Sequence, residues 1–118
     1  MRKEIENRLI TLSVGVNTLI MGMAKSPLSL NLGDQIIRSS TSAALNYGEA
    51  QGAESKRDFI HKTSVVLKEL RETSISLRIF SESGVNGKGV DISALIDECN
   101  QLTAIFQKTV TTARKNID

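Results

Sequence analysis

Hydrophobic positions recur along this chain in steps of four and three residues, the spacing of one face of an α-helix in a bundle. The first run, from about Lys3 to Ala24, places Ile5, Leu9, Leu12, Val16, Leu19 and Met23 on one seam. At roughly 100° per residue, Ile10, Val14 and Met21 fall on nearly the opposite side, with Ile20 between the two stripes. Gly15 and Gly22 interrupt this helix and cost roughly 1 kcal/mol each against Ala, so a close approach by a neighbour is expected there. Lys25-Ser26-Pro27 breaks the pattern, because Pro27 lacks a backbone N–H and restricts the residue before it.

A second helix is predicted from the stretch Leu28 to Leu32 through Gln51, with an inward seam of Leu32, Ile36, Ser39, Ala43, Asn46 and Ala50. Small side chains dominate that seam, which makes this helix a central post that larger residues fill in around. Its far side carries Ile37, Thr41, Ala44 and Leu45, a weaker second apolar stripe. Ser55 and Asp58 form a capping-box pattern for a third helix running to about Ser81, with Phe59, Thr63, Val66, Leu70, Thr73, Leu77 and Phe80 inward. Residues 83 to 91, SGVNGKGVD, read as a loop. Asp91 or Ser93 then caps a fourth helix to about Asn116, with Ile92, Leu95, Cys99, Leu102, Phe106, Thr109 and Ala113 inward and a polar back formed by Asp97, Gln101, Ala104, Lys108 and Lys115. Short connections between successive helices predict an all-α, antiparallel up-down-up-down four-helix bundle, with residues 1–118 as a single domain.

Two apolar stripes on the first helix exceed what a monomeric bundle buries. Ile10, Val14, Met21, Ile37 and Leu45 are therefore expected in a subunit interface of a homo-oligomer, and the stripes alone fit a dimer as well as a larger ring. On the inward seam of the second helix, the Asn46 amide needs a partner. The expected arrangement is a structural polar network of Arg38, Asn46, Glu49 and Glu69, with Asn46 buried, Glu69 accepting from it, and Arg38 or Lys68 as a third member.

The composition is that of an ordinary folded domain, with 24% charged and 40% hydrophobic residues and a net charge of +2 from 15 basic and 13 acidic side chains. One cysteine forbids an intrachain disulfide and fits a reducing cytoplasm, and neither a signal peptide nor a membrane span is expected. The chemistry of catalysis finds little purchase. Asp58-Phe59-Ile60-His61 supplies one acid-x-x-His pattern where a di-iron bundle needs two, and the chain has a single His. Cys99 falls on the inward seam as a small apolar residue. GVNGKG lacks the Walker spacing and a preceding strand. No metal, cofactor or small-molecule substrate is expected, and no enzymatic activity. Basic residues do cluster at Lys56, Arg57 and Lys62 and again at Lys108, Arg114 and Lys115, giving candidate phosphate contacts. With one Tyr and no Trp, any nucleic acid would be bound by charge and shape and not by stacking on splayed bases.

Four segments carry more than periodicity: Gln35-Ile36-Ile37-Arg38-Ser39-Ser40, Ala44-Leu45-Asn46-Tyr47-Gly48-Glu49-Ala50, Ser55-Lys56-Arg57-Asp58-Phe59-Ile60-His61-Lys62, and Leu67-Lys68-Glu69-Leu70-Arg71-Glu72-Thr73. Together they resemble the bacterial four-helix-bundle family encoded in intervening sequences of the 23S ribosomal RNA gene, a family that carries a ribosomal-protein label. The chain departs from the family's usual pattern at Ile37, at Tyr47-Gly48-Glu49-Ala50 and at Ser76. The resemblance implies a homopentamer and an accessory protein associated with ribosomal RNA or another nucleic acid. It is also similar to the pentameric accessory bundles of diversity-generating retroelements, which are more basic. The competing expectation is a protein–protein interaction scaffold with no nucleic-acid contact.

Overall fold

A computed structural model describes residues 2–117 except Asn86 and Lys88, so part of the expected 83–91 loop and the two end residues of the 1–118 domain lie outside the described residues. Within them the chain forms four helices: α1 (Arg2–Met21), α2 (Pro27–Gln51), α3 (Lys56–Glu82) and α4 (Ile92–Lys115). Each helix packs on the next and α1 also meets α4, which closes an up-down bundle about 50 × 22 × 20 Å in extent. All six seam residues expected on α1 are buried, as are the α3 residues Thr63, Val66, Leu70, Thr73, Leu77 and Phe80, while Phe59 is half-buried at the end of the bundle.

The helix ends follow from local hydrogen bonding. At the end of α1 the Gly22 N–H donates to the carbonyls of both Thr18 (3.1 Å) and Leu19 (3.2 Å), a tightening that stops the helix at Met21 and not at Ala24. Gly22 is thus a terminating residue. Ser26 caps α2: its hydroxyl accepts from the Ser29 N–H at 3.0 Å while the Ser29 hydroxyl accepts from the Ser26 N–H at 2.9 Å. With Pro27 in the first turn, where its missing N–H costs nothing, α2 begins at Pro27 itself. Ser55 caps α3 by accepting from the Asp58 N–H at 3.0 Å, and the Asp58 carboxylate reaches back to the Glu54 N–H at 3.2 Å. Asp91 caps α4 by accepting from the N–H groups of Ser93 (3.0 Å) and Ala94 (3.3 Å), and the hydrogen bond from the Ser93 hydroxyl (2.6 Å), followed by these backbone bonds, holds its carboxyl below the ordinary value.

The small seam of α2 lies against larger residues of α3. Ser39 and Thr73, both fully buried, share a hydroxyl–hydroxyl bond of 2.7 Å, and each also bonds a carbonyl of its own helix. Asn46 departs from expectation. It is only half-buried, and Tyr47 takes the core position, its ring meeting Phe106 edge-on at 5.4 Å and 85°. A straight α-helix drifts by roughly 20° per heptad from a strict seven-residue repeat, so by the fourth turn the inward direction has moved from 46 to 47. Burial of the aromatic ring favours the same choice.

Close approach explains two glycines. A Cβ on Gly15 would lie 2.7 Å from a terminal methyl of Leu95, so the glycine makes room for α4 to seat that leucine. Gly87 is buried under tighter constraint: a Cβ there would lie 2.6 Å from the backbone carbonyl oxygen of Leu19. The α3–α4 connection is thereby laid on the end of α1. Gly87→Ala should destabilise the bundle by about 1 to 3 kcal/mol, because the clash is with backbone. Gly15→Ala meets only the end of a flexible side chain and should cost less. Thermal or denaturant unfolding of the two variants checks the order.

Candidate nucleic-acid interface

The antiparallel packing of α3 on α4 brings the start of one beside the end of the other, so the two basic clusters at Lys56/Arg57 and Arg114/Lys115 meet at one end of the bundle. Arg57, Ile60, His61 and Ser64 lie on one face of α3, the last three at three, four and seven residues from Arg57, and line with Arg114 and Ile117 an open depression of about 390 Å³. Ser64 accepts a long hydrogen bond of 3.4 Å from the Arg114 guanidinium, and Lys56 donates at 3.5 Å to the Asn116 carbonyl at the end of α4. All four of Lys56, Arg57, Arg114 and Lys115 are exposed.

Lys62 and Lys108 stand apart from this group. Lys62 pairs with Glu49 across the α2–α3 seam at 2.6 Å, and hydrogen bonding to that carboxylate raises its pKa. Lys108 precedes Arg114 by six residues, a rotation of roughly 240° on the helix, so it projects from another side of α4. A second cavity, of about 470 Å³, opens at the same end of the bundle, where Arg2, Gln51, Lys56, Phe59 and Asn116 are among the lining residues. His61, weighed in the sequence only as a metal ligand, and Ser64 and Arg2 were not marked there as part of a basic surface. For the first two the signal was available in their spacing from Arg57, but Arg2 and Asn116 come together only through the closure of α1 on α4.

The expected polar network resolves into an Arg38–Glu69–Glu72 group and a separate Lys62–Glu49 pair, neither of which includes Asn46. Arg38 reaches from α2 to Glu69 (3.0 Å) and Glu72 (2.5 Å) on α3, with the Glu69 carboxylate almost fully buried. Glu49 belongs to the Lys62 pair. The Asn46 side chain donates within its own helix, to the Ser42 carbonyl at 2.9 Å and the Ser42 hydroxyl at 3.1 Å, and not to Glu69. Turned toward the edge of α2 by the drift of the seam, it satisfies itself locally. On the α1–α4 side, Arg8 grips Glu98 through two bonds of 2.6 and 2.9 Å, which the sequence pattern did not reveal.

Cys99 is fully buried with its thiol directed at the Leu70 carbonyl, 3.2 Å away, and burial pushes its pKa up to about 12. A protonated thiol in the core is a poor nucleophile. Among the described residues, no group of three His, Cys, Asp or Glu side chains is gathered closely enough to hold a metal ion, and no helix is long and apolar enough to cross a membrane.

A second surface is apolar. Ile10, Val14 (59% exposed) and Met21 (78% exposed) stand out from α1, and Leu30 and Leu45 from the adjacent α2. Ile37, expected with them, is half-buried and packs against the core. Ile75 and Ile79 form a further exposed pair on α3, unmarked by the sequence seams.

Helix order, packing and length define an all-α four-helix bundle. Residues 4–108 match the family described as 23S rRNA-intervening sequence protein, and the chain belongs to that family. It is also similar to a crystal structure, at 1.70 Å resolution, of a protein of unknown function from the S23 ribosomal protein family of Bacteroides thetaiotaomicron VPI-5482. That likeness has a TM-score of 0.79 and 21% identity, and it covers 94% of this chain and 99% of the other, which establishes a shared fold. No curated protein matches the chain.

The burial of Cys99 gives a direct check. A disulfide reagent at mildly alkaline pH should leave it unmodified in the native protein and label it at the rate of unfolding, so that labelling accelerates with denaturant. Stoichiometric labelling within seconds of mixing, without denaturant, would contradict the placement.

Proposed function

We propose that this protein is a non-enzymatic oligomeric bundle that binds RNA, ribosomal RNA or another structured nucleic acid, through the basic end of the bundle and closes its apolar outer face with copies of itself. The convergence of Lys56, Arg57, Arg114 and Lys115 from two distant segments onto one exposed end carries the RNA reading. Phosphate contacts need placed cations and little else, and such contacts position an RNA by charge and shape. Membership of a family named for a 23S rRNA intervening sequence is consistent with that partner but names a genomic location. Burial of Cys99, which keeps its thiol protonated in the core, favours a binding role over nucleophilic catalysis. A lone thiol suits a reducing compartment, the cytoplasm.

The self-association half of the proposal rests on the exposed apolar stripes of α1 and α2. Covering a Leu, Ile or Met side chain contributes about 1.5 to 3 kcal/mol, and five or six such residues per subunit outweigh ordinary association costs. A five-fold ring is the closure that the family resemblance implies.

A second reading, a protein–protein scaffold without nucleic acid, draws on Glu49, Glu54 and Asp58, which offset part of the positive charge at the same end. Filter binding of a structured RNA at two salt concentrations separates the readings. RNA bound through phosphates must weaken steeply as salt rises, whereas failure to retain RNA at low salt leaves the scaffold.

Light scattering of the wild type and of a Val14→Glu, Met21→Lys double variant tests assembly. The wild type should run as an oligomer and the variant at lower mass with its helix content intact. A monomeric wild type, or a variant of unchanged mass, counts against the interface.

A further inference from the structure

Arginines along the sides of the bundle have partners. Arg8 is held by Glu98, Arg38 by Glu69 and Glu72, Arg78 by Glu82, and Arg71 by Gln107. Arg57 and Arg114 line one depression from two helices; among the described residues neither makes an ion pair, and Arg114 bonds the neutral Ser64 hydroxyl much as Arg71 bonds Gln107. Two guanidinium groups facing one space repel each other unless an anion comes between them. The guanidinium fork matches two oxygens of a phosphate, and two forks can share the same group.

We propose that this depression is a phosphodiester subsite in which Arg57 and Arg114 grip a single backbone phosphate of a bound RNA. The inference rests on the RNA reading above and sharpens it, since it assigns the contact to one pair of arginines and removes Lys62 and Lys108 from the footprint. Ser64 steadies the Arg114 guanidinium through its 3.4 Å hydrogen bond, and His61 adds a further hydrogen-bonding group on the rim. Ile60 and Ile117 supply an apolar wall beside the two cations, a surface suited to the carbon face of the ribose that adjoins the phosphate. The depression, at about 390 Å³, has room for both. Lys62 is held instead by Glu49, and Lys108 projects from another side of α4.

Sharing one phosphate has a measurable signature. In filter binding with a structured RNA at several salt concentrations, Arg57→Gln and Arg114→Gln should each weaken binding by about tenfold. Combining them should weaken it little further, because the first substitution already breaks the two-fork grip. The slope of log affinity against log salt should fall by one phosphate's share, about 0.7 to 0.9, in the double variant, and Lys108→Gln should change neither quantity. Circular-dichroism melts of all variants confirm that each is folded, as expected for exposed side chains. If the two losses multiply and the slope falls by twice that share, the arginines hold separate phosphates and the proposal is overturned. If neither substitution matters while Lys56→Gln and Lys115→Gln weaken binding, the subsite is overturned and the RNA reading stands. If the wild type retains no RNA at low salt, both fall.

Discussion

The close contact between α2 and α3 governs the rest of the molecule. Ser39, Ala43 and Ala50 offer little bulk, so the larger side chains of α3 seat against the α2 backbone, and the buried Ser39–Thr73 hydroxyl pair fixes the two helices in height. Sliding either helix by a turn would break the Ser39–Thr73 bond and leave each hydroxyl only the carbonyl of its own helix, a loss of about 0.5 to 1.5 kcal/mol. That registry also sets Arg38 over Glu69 and Glu72, and Lys62 over Glu49. The ion pairs are consequences of the seam more than causes of it: the Lys62–Glu49 and Arg38–Glu72 pairs are exposed enough to contribute modestly, and the buried Glu69 carboxylate needs the Arg38 partner that the registry supplies.

Much of this was legible in the sequence because a bundle is written in short periods. The seams of α1 and α3 and the caps at Ser55 and Asp91 are local properties, readable from a handful of neighbouring residues. The errors came where a local rule accumulates over distance. Taking a fixed step from Ala43 to Asn46 ignored the slow rotation of a 25-residue helix, and that one position moved an amide out of the core, a tyrosine into it, and dissolved the network built around Asn46. The end of α1 was overrun because Gly22 was taken as an interior glycine, whereas its N–H is shared between two carbonyls in a closing turn.

The basic end was only half legible. Charge clusters are visible as letters, but which cations are already committed depends on contacts across helices. Glu49 and Lys62 are a single unit in the fold and two unrelated residues in the sequence. Arg57 and Arg114 are the reverse, separated by most of two helices and placed around one depression. Apolar surface shows the same division: Val14 and Met21 stood out against a long heptad seam, while the exposed Ile75 and Ile79 lie off the seam of α3 and formed no second stripe that periodicity could mark.

The closure of α1 on α4 has a consequence for handling the molecule. Arg2 and Asn116 line the same cavity, so the first and last turns of the bundle lie side by side, next to the paired arginines. Chain continued beyond either turn, or a purification tag or fluorescent fusion attached there, emerges over the surface where charge is gathered and competes with whatever that surface receives. The α1–α2 connection at residues 22–26, at the far end of an elongated molecule 50 Å in length, keeps an insertion clear of it. Because the two terminal turns adjoin, a short linker can also join them, and a circularly permuted chain reopened in that connection would present its new ends on the opposite pole.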